Sequence, residues 1–198
     1  MAFTDGLLSA RVHHTARMAG DSLRRIAVLL AERNEIDDQI AEIIGRPMTS
    51  GHLGEWIAAQ IFDIQLFSSA TTEAIDGHFS SGPLKDRGVN VKWYLQQEGL
   101  LDMTMSQQPY DYLVMAGPTR PAGTSAGQSR PWQIDSVYLF DAQALRADLS
   151  SHGRRVGTAS SIRQDVWAAA EIYPNRRNTR LPLTDDQMEM LRLFAPRE

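Results

Sequence analysis

Glu55, Asp76, Asn90 and Lys92 are the side chains whose types, order and settings suit chemistry. Glu55 interrupts an apolar helical stretch, and Asp76 stands before a glycine. Asn90 and Lys92 lie two apart in the alternating run Val89-Asn90-Val91-Lys92-Trp93-Tyr94-Leu95. Period two puts Val89, Val91, Trp93 and Leu95 on one face of a strand and Asn90, Lys92 and Tyr94 on the other. Glutamate, aspartate and then polar-x-lysine, in that order, is a set able to hold a divalent metal and a water beside a phosphodiester. Taken singly, each residue has a plainer reading. Glu55 reads as a surface helix residue, Asp76 as a turn former before glycine, and Lys92 as a solvated strand lysine.

The composition limits the alternatives. With 198 residues, 42% hydrophobic and 22% charged, the chain suits one globular domain, or one domain plus an appendage. It has no cysteine, so a metal must be held by oxygen or histidine. No apolar run reaches the ~18 residues of a membrane span, and the N-terminus lacks a secretory pattern. A cytoplasmic location with no membrane partner is therefore expected. The net charge of −4 argues against a protein that coats nucleic acid non-specifically. Basic residues nevertheless gather late in the chain, at Arg154, Arg155, Arg163, Arg176, Arg177 and Arg180. These six are the candidate nucleic-acid contacts, with a solvated arginine-rich surface as the simpler reading.

The elements that must position these residues follow from periodicity. Residues 18–45 read as one long helix or as a hairpin in which Asn34 caps a second helix. Ile26, Leu29, Arg33, Ile36, Ile40 and Ile43 fall on a heptad seam with one charged interruption. That seam fits packing against the body of the chain or a homodimer interface. A second helix over about 51–63 carries Glu55 on the flank of a Leu53, Ile57, Ile61 and Phe62 stripe. Strands are expected around 73–79, 89–96, 110–116 and 132–140. Asp141 caps a helix over 142–150, and Thr184 caps a last helix over 185–194 whose Met188, Leu191 and Phe194 face inward. A strand or short helix falls around 163–172, and 117–131 reads as an exposed loop. The four strands fit hairpin connections better than a doubly wound sheet. The division is a helical N-terminal region, 1–47, and an α/β domain, 48–198.

This order resembles the core of the PD-(D/E)XK nuclease superfamily, the restriction-endonuclease-like fold, over roughly residues 51–150. A helix carries Glu55 in Gly-Glu-Trp, Asp76 follows in Ile-Asp-Gly, and the next strand carries Asn-Val-Lys ending in Lys92. The resemblance implies an α/β fold with a mixed central sheet flanked by helices and a helical N-terminal extension. It also implies Mg²⁺ or Mn²⁺ as cofactor and hydrolysis of DNA or RNA, often by a dimer. Asp76 would anchor the metal, with Glu55 binding directly or through water. Lys92 would orient the attacking water or help deprotonate it. The chain departs from the pattern at Asn90, where the family has Asp or Glu. An amide oxygen still ligates a hard cation but brings no charge. A degenerate nuclease fold that binds a partner without cutting is the rival expectation.

Other constellations carry less. His13 and His14 are adjacent and diverge on a helix. His52 and His78 lie near Glu55 and Asp76 in sequence, as surface residues or as auxiliary phosphate contacts. Glu98 and Asp102 read as solvated loop residues, and Trp56, Trp93, Trp132 and Trp167 mostly as core. No Gly-rich phosphate loop and no nucleophile-elbow motif occurs.

Overall fold

The computed structural model describes residues 5–68, 74–104, 108–119 and 131–195, with the backbone alone for 5–20. The chain divides into two compact units, Met1–Met48 and Thr49–Glu198. The first holds one unbroken helix, α1, Asp5–Ile44. Asn34 therefore lies inside a helix and caps nothing. Gly45, at φ 67°, follows the last turn in the left-handed region that glycine enters without strain.

The second unit is a three-layer α/β/α arrangement around a six-stranded mixed sheet. Its elements in chain order are α2 (Ser50–Phe62), β1 (Ile64–Leu66), β2 (Gly77–Phe79), β3 (Gly88–Tyr94), β4 (Leu100–Leu101), β5 (Tyr110–Ala116) and β6 (Ser136–Asp141). Then come α3 (Ala142–Ser151), β7 (Ser160–Ser161), α4 (Gln164–Ala170), β8 (Glu171–Tyr173) and α5 (Asp185–Arg192). The sheet order is β1-β2-β3-β5-β6-β8, and β4 pairs with β7 apart from it.

The sheet is mixed, as expected, but the hairpin connections expected between successive strands fail at its centre. β3 and β5 run parallel, with Asn90 opposite Tyr112 and Lys92 opposite Val114. The other neighbouring pairs are antiparallel. A parallel pair needs a crossover, and among the described residues of the connection, 95–104 and 108–109, it holds β4 and no helix.

Both faces of the sheet are covered. One carries Val89, Val91, Trp93, Leu113 and Met115 against Ile57, Ala58 and Ile61 of α2 and Leu191 of α5. The other carries Tyr112, Val114 and Tyr138 against Leu145 and Leu149 of α3 and Trp167 of α4. β5 is buried along its whole length, as suits a central strand rich in aromatic and β-branched residues. The helix starts have local causes. The Thr49 side chain accepts from His52 N–H, Asp141 accepts from Gln143 and Ala144, and Thr184 forms a capping box with Gln187.

Candidate functional site

Asp76 stands just before β2 and continues the β2–β3 ladder beyond its last backbone pair. Its N–H donates to the Val89 carbonyl at 2.9 Å, and its carboxylate Oδ2 accepts the Val91 N–H at 2.7 Å. A side chain thus takes the place of a ladder carbonyl. Asn90 lies between those two strand positions and is 4% exposed. Its Nδ2 donates to the Ala74 carbonyl at 3.1 Å. That bond fixes the amide, and Oδ1 is left buried with no hydrogen-bond partner among the described residues. Ala74 itself has φ 68°, an uncommon conformation for a residue with a Cβ.

The face carrying Asn90 and Lys92 is not the open polar face that alternation suggests. Layer α3–α4 covers the sheet on that side, so Asn90 is buried and Lys92 half-buried. Lys92 makes no hydrogen bond or ion pair with any described residue. The structure therefore brings Asp76, Asn90 and Lys92 together on neighbouring strand positions. Glu55 comes from the other layer. It follows Gly54, whose missing Cβ would sit 2.9 Å from Trp93 Cβ, so α2 approaches β3 as closely as its backbone permits. Glu55 is half-buried there.

A buried acceptor without a donor costs about 1–3 kcal/mol unless water or an ion meets it. The oxygen chemistry of Asp76 and Asn90 fits a hard divalent cation, which favours carboxylate and amide oxygens. Among the described residues, no group of three or more His, Asp or Glu side chains converges as a metal-binding cluster.

The six arginines do not share one surface role. Arg180 donates to both oxygens of Asp111, at 3.0 and 3.2 Å, and Arg163 bridges Asp148 at 3.0 Å and Asp165 at 3.4 Å. Arg154 binds the Ser161 carbonyl at 2.9 Å. Arg155, Arg176 and Arg177 are exposed; Arg176 reaches Asp185 at 4.0 Å and Arg177 reaches Glu171 at 3.9 Å. Most of the 117–131 loop lies outside the described residues, as do the side chains of His13 and His14. The His78 ring packs against Phe67 at 5.8 Å, and His52 is half-buried in the first turn of α2.

Two features had no sequence signal. The first is an ion network at the start of β5. Asp111 and Asp141 sit directly opposite each other on β5 and β6. Like charges so placed repel, and Arg87 neutralises both, at 2.8 Å to Asp111 and 2.6 Å to Asp141. Asp111 is fully buried, and burial pushes its carboxyl above the usual range against the opposing pull of Arg87 and Arg180. The second is a cavity of about 200 Å³ at the carboxyl ends of the parallel pair β3 and β5, lined by Tyr94, Asp102, Ala116 and Trp167 among others. Asp102 is only half-buried: its N–H donates to the Tyr94 hydroxyl and its Oδ1 accepts from Ala159. Burial pushes the Tyr94 hydroxyl up to about 12. Trp167 Nε1 is buried with no partner among the described residues. Trp132, expected in the core, is 37% exposed and packs edge-on against Trp93.

No protein-family model matches the chain, and no curated protein matches it.

Proposed function

We propose that this protein is a metal-dependent phosphodiester hydrolase acting on DNA or RNA, with its site at Asp76, Asn90 and Lys92. The observation that carries the reading is the buried, unpartnered Asn90 Oδ1 beside the Asp76 carboxylate, on the residues that resemble the PD-(D/E)XK pattern. Asp76 and Asn90 would hold Mg²⁺ or Mn²⁺; Glu55, on α2, lies across the sheet from Asn90 and is not part of this ligand set. A bound divalent cation supplies polarisation of the phosphoryl oxygen and stabilises charge developing on it. Lys92, half-buried and unpaired among the described residues, donates hydrogen bonds to the attacking water and offsets negative charge at the phosphate. The Val91 N–H fixes the Asp76 carboxylate, so this ligand is held before any cation arrives. Arg155, Arg176 and Arg177 are exposed cations able to contact nucleic-acid phosphates.

A second reading is a non-catalytic nucleic-acid-binding protein on the same scaffold. One observation favours it: Asp76 already performs a structural task in closing the β2–β3 ladder.

Incubation of supercoiled plasmid and labelled RNA with the full chain, in Mg²⁺ and in Mn²⁺, separates the two. The hydrolase reading expects cleavage by the wild type that Asp76→Asn and Lys92→Met abolish while both variants stay folded. Salt-dependent binding without cleavage of either polymer supports the second reading and overturns the first.

A further inference from the structure

The α1 helix carries a row of large apolar side chains that face solvent. Leu23, Ile26, Val28, Leu29, Leu30, Ile36 and Ile43 are between 47% and 69% exposed. Scattered surface leucines need no explanation, but these are concentrated in one stretch, and most follow a repeat. Ile26, Arg33 and Ile40 occupy a positions, with Leu29, Ile36 and Ile43 at d. Leu23 and Leu30 widen the seam at e. An a/d seam of this kind is complementary to another helix with the same repeat, and a second copy of this chain supplies one.

We infer that α1 pairs with α1 of a second copy as an antiparallel coiled coil. Charge decides the orientation. In a parallel pair the two Arg33 side chains meet on the axis, and Glu32 at g opposes Asp37 of the second copy at e. In an antiparallel pair g positions line up with g positions. That sets Arg25 against Glu32 of the second copy, and the symmetry makes the same pair twice. Arg33 then faces a d position instead of its own twin. It keeps its intrahelical pairing with Asp37, at 3.5 Å.

The absence of cysteine makes the test direct. Arg24→Cys, Ala31→Cys and Asp38→Cys each place a spin label on the outward f row of the full chain, away from the seam. Dipolar distances between identical labels are then measured. With Arg25 paired to Glu32, Ile26 lies level with Leu29 of the second copy, the pair is centred between those two, and each residue away from the centre separates identical labels by about 3 Å more along the axis. The expected pattern is similar, short distances at 24 and 31 and a much longer one at 38. Three equal distances overturn the antiparallel orientation. A monomeric mass by light scattering, with no dipolar signal, overturns the pairing itself. As a check on the seam, the double variant Leu29→Glu/Ile36→Glu is expected to be monomeric with the second unit still folded. A variant that remains dimeric excludes this face as the interface.

Discussion

Asp76 completes the β2–β3 ladder by accepting the Val91 N–H on its carboxylate at 2.7 Å. One side chain thereby carries a structural bond and the charge proposed for metal binding, and the two roles separate by substitution. Asp76→Asn keeps an acceptor oxygen but removes the charge. Its stability in urea should stay within about 1 kcal/mol of wild type, while metal-dependent cleavage disappears. Asp76→Ala leaves the Val91 N–H without its acceptor and should cost about 1–3 kcal/mol. Equal stability of the two variants would show that the Val91 bond contributes nothing.

Asn90→Asp restores the acid that the resemblance leads one to expect. A carboxylate at this buried position lacks a positive partner, so the metal-free variant should melt below wild type. Added Mn²⁺ should raise its melting temperature by more than it raises that of wild type, because binding to the native state stabilises by mass action. Identical Mn²⁺-induced shifts in the two proteins would argue against any cation at Asn90.

Lys92→Met tests whether the half-buried amine serves the fold or the chemistry. With no ion pair among the described residues to lose, the variant should match or exceed wild-type stability in thermal melts, yet lose cleavage. A large destabilisation would mean that Lys92 is a structural residue.

Arg180 and Arg87 hold the buried Asp111. Burial keeps the Asp111 carboxyl above its ordinary value. A carboxyl raised in the native state binds its proton there more readily than in the unfolded chain. Its contribution to stability therefore falls as pH rises from the unfolded value, about 3.9, to the folded one. Arg180→Ala removes one stabilising cation, raises Asp111 further and extends this window upward. The difference in urea midpoint between wild type and variant should widen as pH rises through that range. Parallel profiles would contradict the assignment.

Gly54 sets two effects against each other. Alanine there gains about 1 kcal/mol of helix propensity, but its Cβ would meet Trp93 Cβ at 2.9 Å, and overpacking of this kind costs about 1–3 kcal/mol. Trp93 Cβ is anchored to a central strand and cannot swing away. The packing cost should win, so Gly54→Ala lowers the urea midpoint; an unchanged or higher midpoint would show that α2 can shift.

The parts of the fold that were legible in the sequence have local causes. The capping side chains of Thr184 and Asp141 mark helix starts, and the unbroken run from Tyr110 to Ala116 marks the central strand. What was not legible depends on partners distant in the chain. The three-residue β1 is too short to show a period. The parallel pairing of β3 with β5 is made by register, which composition does not encode. Alternation correctly put Val89, Val91 and Trp93 on one face, but period two does not reveal whether the other face is covered. Hence the burial of Asn90 and its orphaned oxygen emerged only from the structure. The Arg87–Asp111–Asp141–Arg180 network joins residues from across the second unit, and no spacing announces it.

The most direct measurement is a Mn²⁺ titration followed by the electron paramagnetic resonance of the free ion, run on wild type, Asp76→Asn and Asn90→Leu. If Asp76 and Asn90 hold a divalent cation, wild type removes one equivalent of Mn²⁺ from solution and both folded variants bind far more weakly. If wild type binds none, or all three proteins bind alike, the metal site at Asp76 and Asn90 is contradicted.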